Sequence, residues 1–356
     1  MAGTDLVVEV QELNGRDGMC FGLLPTCDAR WPRLAGHHPA WSVAIAKGLR
    51  HPSYLVTVRH GDQVAGVLPL MLVKGPIFGS FLVSLPYINT GGVWATDADV
   101  ATRLIDRACQ LADELDVKYL ELRQEQPVEH PRLNFQRTDK VHMRLPLPTT
   151  DELLDKSFKS KLRSQVRKAG QFDHRIAWGG SELLDDFYHV FAVNMRDLGT
   201  PVFSKRLFAE ILDAFAGDAE LCVVYQAEQE KLFPVAGAVL VHADGVTEVP
   251  SASCLRVANP TGANMWMYRH LLRRAIERGS RTFDFGRSSI DSGTSKFKAQ
   301  WGAQPHPAVW QYYVRKGDVE AMRPDSQTNQ RRIKIWQKLP VWLTRSIGPA
   351  IVRGIP

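Results

Sequence analysis

The order of elements in the first half of the chain returns in the second, and such a duplication limits the possible folds more than any single motif does. In the first half, YLVTVRHGDQVAGVLPLMLVKG (54–75) is two apolar runs around His60-Gly61-Asp62-Gln63, the composition of a hairpin. An apolar strand over 80–94, broken at Gly91-Gly92, leads to a helix capped by Asp97 or Asp99 and running to about Leu115. Its apolar positions Val100, Leu104, Ile105, Ala108, Leu111 and Ala112 fall at helical spacing. Lys118 to Arg123 is then a strand ending in arginine. The second half repeats this order: a hairpin over 221–245, a strand over 246–255, a break at Gly262, a helix from about Ala263 to Arg278, and a strand ending in Arg287. Val235-Ala236-Gly237 echoes Val64-Ala65-Gly66 about 170 residues on, and Arg287 answers Arg123. A strand over 5–13 and a short helix over 38–50 precede the first hairpin. The pattern predicts an α/β protein of two like domains, 1–150 and 151–325, followed by a basic tail, 326–356.

A chain of 356 residues exceeds the roughly 100 to 200 of one typical domain, and its 44% hydrophobic content can fill two cores. Charged residues are 23% and no run of about 18 apolar residues occurs, which excludes wholesale disorder and a spanning helix. The amino terminus lacks a positive start followed by an apolar core, so cytoplasmic residence is expected. Five cysteines, Cys20, Cys27, Cys109, Cys222 and Cys254, are scattered and form no CxxC pair. They predict core residues or inert thiols, with neither a disulfide framework nor a zinc site; no metal and no permanently bound cofactor are expected. A net charge of +6 points to a phosphate-bearing partner or an anionic surface.

The chemistry gathers in 281–302, RTFDFGRSSIDSGTSKFKAQWG. Phe283 and Phe285 alternate with Asp284 as in a strand, Gly286-Arg287 ends it, and Ser288 to Gly293 has a loop composition that delivers Lys296, Phe297, Lys298 and Trp301. Sites in α/β chains gather outside the carboxyl ends of strands. Lys298, braced by Phe297 and Trp301, is placed to face a developing oxyanion or a donor phosphate. Asp284 is a base, an orienter of Arg287, or a plain strand salt bridge. The bland reading of the whole stretch is a solvated basic turn. Upstream, DELLDKSFKSKLRSQVRKAGQ (151–171) predicts one amphipathic helix. Lys156, Lys159, Arg163 and Arg167 would line its polar face, either as a phosphate clamp or as a solvated side. Gly262 opens the long helix of the second half, where free N–H groups can cradle phosphate. No Ser-His-Asp or Cys-His order stands out, so direct transfer without a covalent enzyme intermediate is expected.

The duplicated halves, the segment KSKLRSQVRKA, and the ending ERGSRTFDFGRSSIDSGTSKFKAQWG together resemble the FemAB and peptidoglycan-bridge family, with its acetyltransferase-like relatives associated with exosortase and exopolysaccharide loci. The resemblance implies tandem GNAT-like domains that transfer an acyl or aminoacyl group to an amine on a lipid-linked or nucleotide-linked sugar or peptide. Acyl-CoA or aminoacyl-tRNA would be the co-substrate, and Lys298 stands where the family's transfer-assisting lysine lies. After Arg123 the first half offers Gln124-Glu125-Gln126-Pro127 in place of a Lys-x-Lys, which suits a scaffold and substrate wall. The alternative is a non-catalytic module that binds a phosphate ligand or RNA; DNA is not expected. Finally, 328–356 interleaves Arg331, Arg332, Lys334, Lys338, Arg345 and Arg353 with Ile335, Trp336, Trp342 and Ile347, cut by Pro340 and Pro349. It predicts either docking on an anionic membrane surface or packing on the second domain.

Overall fold

The structure, a computed structural model, describes residues 6–13, 33–76, 78–229, 231–317 and 327–355; Asp5, Cys20, Cys27 and Asp325 lie outside them. The chain forms two compact units, one of Met1–Lys140, Pro307–Ser326 and Ala350–Pro356, the other of Val141–His306 and Gln327–Pro349. These boundaries differ from those read in the sequence. The strand Gln304–Val314 leaves the second half to pair antiparallel with Tyr119–Gln124 of the first. Its residues Trp310 and Tyr312 are buried with Phe81 and Tyr119 there, and that packing fixes its allegiance.

The first unit contains β1 (Leu6–Leu13), α1 (Pro39–Leu49), β2 (Ser53–His60), β3 (Gln63–Gly75), β4 (Gly79–Val83), β5 (Trp94–Ala95), α2 (Ala98–Glu114), β6 (Tyr119–Gln124) and the start of β7 (Phe135–Pro146). Its strands run in the order β1-β2-β3-β4-β6-β13 (β13 being Gln304–Val314), with β4 and β6 parallel. Asp97 caps α2 by accepting the Val100 N–H at 2.9 Å, and Leu104, Ile105, Ala108 and Cys109 of α2 are fully buried on the sheet.

The second unit contains α3 (Asp151–Ser157), α4 (Ser160–Ala169), β8 (His174–Gly179), α5 (Leu184–Leu198), α6 (Lys205–Ala214), β9 (Ala219–Glu228), β10 (Lys231–Ala243), β11 (Val246–Cys254), α7 (Ala263–Glu277), β12 (Thr282–Ser289) and α8 (Gly293–Gln300). The tail adds α9 (Gln327–Trp336) and α10 (Val341–Val352). Here the sheet order is β12-β11-β10-β9-β8, with β11 and β12 parallel. Met267, Leu271, Leu272 and Ala275 of α7 pack with Phe283 and Phe285 of β12 in the core.

The two hairpins do correspond, but the shared Val-Ala-Gly is one residue out of register. The bulge falls at Ala65 in β3 and at Val235 in β10, so Gly66 answers Ala236 and not Gly237. A one-residue slip turns a side chain to the opposite face of a sheet. Accordingly, a Cβ on Gly66 would meet Val100 and Leu104 of α2, whereas one on Gly237 would meet Phe187 of α5.

Candidate functional site

In the second unit, β11 and β12 pair only from Val246↔Thr282 to Glu248↔Asp284. Both run on, to Cys254 and Ser289, and among the described residues no further rung joins them. The register of β10 against β11 shifts between Val239 and Val241, opposite Val249 and Pro250, and proline has no N–H to give to a ladder. The two parallel strands therefore part at their carboxyl ends, between the loops that lead to α7 and α8. Glu248 sits half-buried on the last rung, level with Asp284.

The strand β12 does not stop at Gly286-Arg287 as the composition suggested; it continues to Ser289 through Gly286, whose φ of 75° only glycine adopts freely. Lys296-Phe297-Lys298 likewise belongs to a helix, not a loop: Ser292 caps α8 by accepting the Ser295 N–H at 3.2 Å. One helical turn then aims Lys298 back at the strand. Its Nζ donates to the carbonyls of Gly286 and Arg287, each at 3.0 Å, and the residue is 9% exposed. Burial lowers the Lys298 pKa to about 8, with Asp284 opposing the shift and Arg287 adding to it.

Asp284 is held on both oxygens, by the Gly286 N–H at 2.7 Å and by Arg144 Nε at 2.9 Å. That geometry makes it a carboxylate that shapes the strand exit. Arg144, on β7, is a partner that sequence reasoning missed. Arg287 is half-buried and Lys296 is exposed. Phe297 packs edge-on against Tyr268 at 5.0 Å, and Trp301 against Phe158 at 5.5 Å.

The basic segment is two helices. Phe158 and Lys159 adopt extended backbone between α3 and α4, because Phe158 turns inward to 4% exposure on Trp301. Lys156 thus belongs to α3, Lys159 becomes the N-cap residue of α4, and of the expected stripe only Arg163 and Arg167 remain together on one helix, both exposed. The carboxyl end of α4 lies on the start of α7. A Cβ on Gly262, the α7 N-cap at φ 70°, would come within 3.0 Å of the Ala169 Cβ, and Gly170 meets Trp266. Gly262 provides no side-chain cap, so the first N–H groups of α7 and the cations of α4 form one positive corner. Lys159 and Trp301 meet in a groove of about 570 Å³, floored by Leu147, Leu154 and Phe158. The buried indole N–H of Trp301 has no acceptor among the described residues.

The first unit closes the corresponding place with its own backbone. After Leu82↔Leu120 and Val83↔Glu121, the Arg123 carbonyl accepts N–H groups from Gly91 at 3.1 Å and Gly92 at 2.9 Å. The Gln124 side chain accepts the Val93 N–H, and His37 Nε2 donates to the Gly92 carbonyl at 2.8 Å while Nδ1 accepts the Leu34 N–H. Arg123 is buried against Glu121 at 2.6 Å and lies 4.2 Å over the Trp310 ring. It is a structural arginine.

Residues 156–299 match the acetyltransferase (GNAT) domain family. Among solved structures, the chain is similar to FemX, with 93% of this chain and 100% of that one covered, 16% identity and a TM-score of 0.61. The chain has the tandem GNAT fold. A second similar structure is a tandem GNAT protein from the clavulanic acid biosynthesis pathway, covering 88% of this chain and 100% of that one, with 15% identity and a TM-score of 0.54. No curated protein sequence matches the chain. In this GNAT-fold chain the second copy carries the parted strands, and the resemblance read from 281–302 agrees with the fold.

Proposed function

We propose that the chain transfers an acyl group from a thioester donor of the acyl-CoA kind to an amine on a nucleotide- or lipid-linked sugar or peptide of cell-envelope or exopolysaccharide synthesis. The observation that carries this reading is the parting of β11 and β12 beyond Glu248 and Asp284. An extended thioester arm fits between two such strand edges and offers amide groups to both. Its phosphates then reach the positive corner made by the start of α7 with Arg163 and Arg167.

In the reaction the amine lone pair attacks the acyl carbonyl carbon, and the carbonyl electrons move onto oxygen. The oxyanion collapses, the C–S bond breaks, and the thiolate leaves. Glu248, on the last rung, accepts the proton the amine loses, directly or through one water. Lys298 holds the β12 exit by two of its three N–H donors and sets a positive charge beside the oxyanion. Asp284 and Arg144 fix the same turn from the other side, and Arg287, Lys296 and Phe297 line its approach. The groove with Lys159 and Trp301 takes the acceptor.

The test is mass spectrometry of products formed from acetyl-CoA and amino-sugar nucleotides, with the wild type and with Lys298→Ala and Glu248→Gln. Changing Arg163 and Arg167 together to alanine should raise KM for the donor and flatten its salt dependence. Undiminished transfer with both Lys298 and Glu248 replaced would remove the assignment. Donor binding without any product would favour the binding module.

A further inference from the structure

The tail has an inner and an outer face. On the inner side, Ile333 reaches Gly199 so closely that an added Cβ would lie 2.4 Å from its Cγ2, and Gly348 packs on Val202. Thr344 is buried, and the Arg345 guanidinium lies 5.1 Å over the Tyr188 ring. This face belongs to the second unit. The outer face of α9 and its last turn exposes Arg331, Lys334, Ile335 and Lys338 at helical spacing, with Arg332 beside them. On α10, Trp342 is 70% exposed and Ile347 is exposed; Ile335 is 64% exposed. No acidic residue occurs between 327 and 355.

One atom ties this face to the candidate site. The Asp197 carbonyl accepts from Gln337 Nε2 at 3.0 Å and from Arg256 Nη2 at 2.8 Å, so the turn after α9 and the loop between β11 and α7 are fastened together. Beside that knot, Val257 is 77% exposed and Leu198 is 54% exposed. The loop that leaves β11 and the turn after α9 thus meet at one atom, with exposed apolar side chains next to it in the chain.

We propose that this face docks on an anionic lipid surface, with Trp342 and Ile335 entering the headgroup region and Arg331, Arg332, Lys334 and Lys338 meeting lipid phosphates. The cations alone would serve RNA equally well. Exposed Ile335 among these cations, with exposed Trp342 on the next helix, favours lipid, since an interfacial helix gains from burying apolar area as well as from charge. Among the described residues no helix is long and apolar enough to cross a membrane, so the contact is a surface one. The inference rests on these side chains and not on the transfer reading, which it deepens by making the acceptor lipid-borne.

The experiment is flotation of the full chain with vesicles of phosphatidylglycerol and phosphatidylcholine or of phosphatidylcholine alone, and it needs no turnover. Binding is expected to the anionic vesicles only, and to weaken with salt. Replacing Ile335 and Trp342 by serine, or the four cations of α9 and its last turn by glutamine, should each lower partitioning about tenfold or more at an unchanged thermal midpoint. Absence of flotation overturns the proposal, as does flotation that the Ile335→Ser, Trp342→Ser variant retains. Binding of polyuridylate without flotation would make the face an RNA surface instead.

Discussion

Lys298 is a cation that folding places where water is scarce, and its behaviour with pH follows from that. Two backbone carbonyls keep the ammonium in place while burial lowers its pKa to about 8. Transfer that needs the charged form should therefore fall as pH rises through about 8. The Lys298→Arg variant should carry that limb to higher pH, and Lys298→Met should lower kcat about a hundredfold, the scale of a lost oxyanion donor. Stability runs the other way. The unfolded chain holds this proton more tightly than the fold does, so the wild type gains stability as pH rises from about 8 toward the ordinary lysine value. Denaturant titrations should show Lys298→Met ahead of the wild type below pH 8, with the gap closing above it. Asp284 gives a second test, because Arg144→Met leaves its carboxylate buried and should cost about 3 kcal/mol. A urea midpoint within error of the wild type would mean that solvent already screens the pair. The alternation around Asp284 was legible in the sequence. Its partner was not, for Arg144 stands 140 residues away and only the sheet brings them together.

At the scale of elements, the local signals held wherever a segment's own chemistry sufficed. Asp97 begins α2, Gly262 precedes α7, and the two-residue turn Gly61-Asp62 closes the first hairpin. They misled where a distant contact outweighed periodicity. The apolar spacing over 151–171 is continuous, yet burying Phe158 on Trp301 breaks the helix there. The same kind of contact turns Lys298 inward on a helix that the serine-rich composition concealed. The meeting of α4 with α7 was invisible for the same reason, and it makes Gly262 a probe of the site. An alanine there would keep a left-handed φ of 70° and press on Ala169. It should cost about 1 to 2 kcal/mol and, by shifting the first turn of α7, raise KM for a phosphate-bearing donor with less effect on kcat. A destabilised variant with wild-type KM would detach the α7 amino terminus from donor binding.

The whole molecule is a duplication whose copies have diverged at equivalent strand ends. Repeat order predicted the two copies. It could not assign β13, which follows the second copy in sequence and packs with the first. Nor could the Gly91-Gly92 break reveal its use, since glycine at that point reads equally as a phosphate cradle or as a close backbone approach. The structure shows the approach: a Cβ on Gly92 would fall 2.4 Å from Gln124 Cγ and 3.1 Å from the Arg123 carbonyl oxygen. In the second copy, among the described residues, no rung joins the matching strands beyond Glu248 and Asp284. Gly92→Ala should therefore lower the thermal midpoint, by forcing apart a place already filled with backbone, and leave KM for the donor within about twofold of the wild type. Paired with Gly262→Ala, it separates damage to a scaffold from damage to a site. If Gly92→Ala raised the donor KM as steeply as Gly262→Ala does, the first copy would also have to bind donor, and the division of labour between the copies would fail.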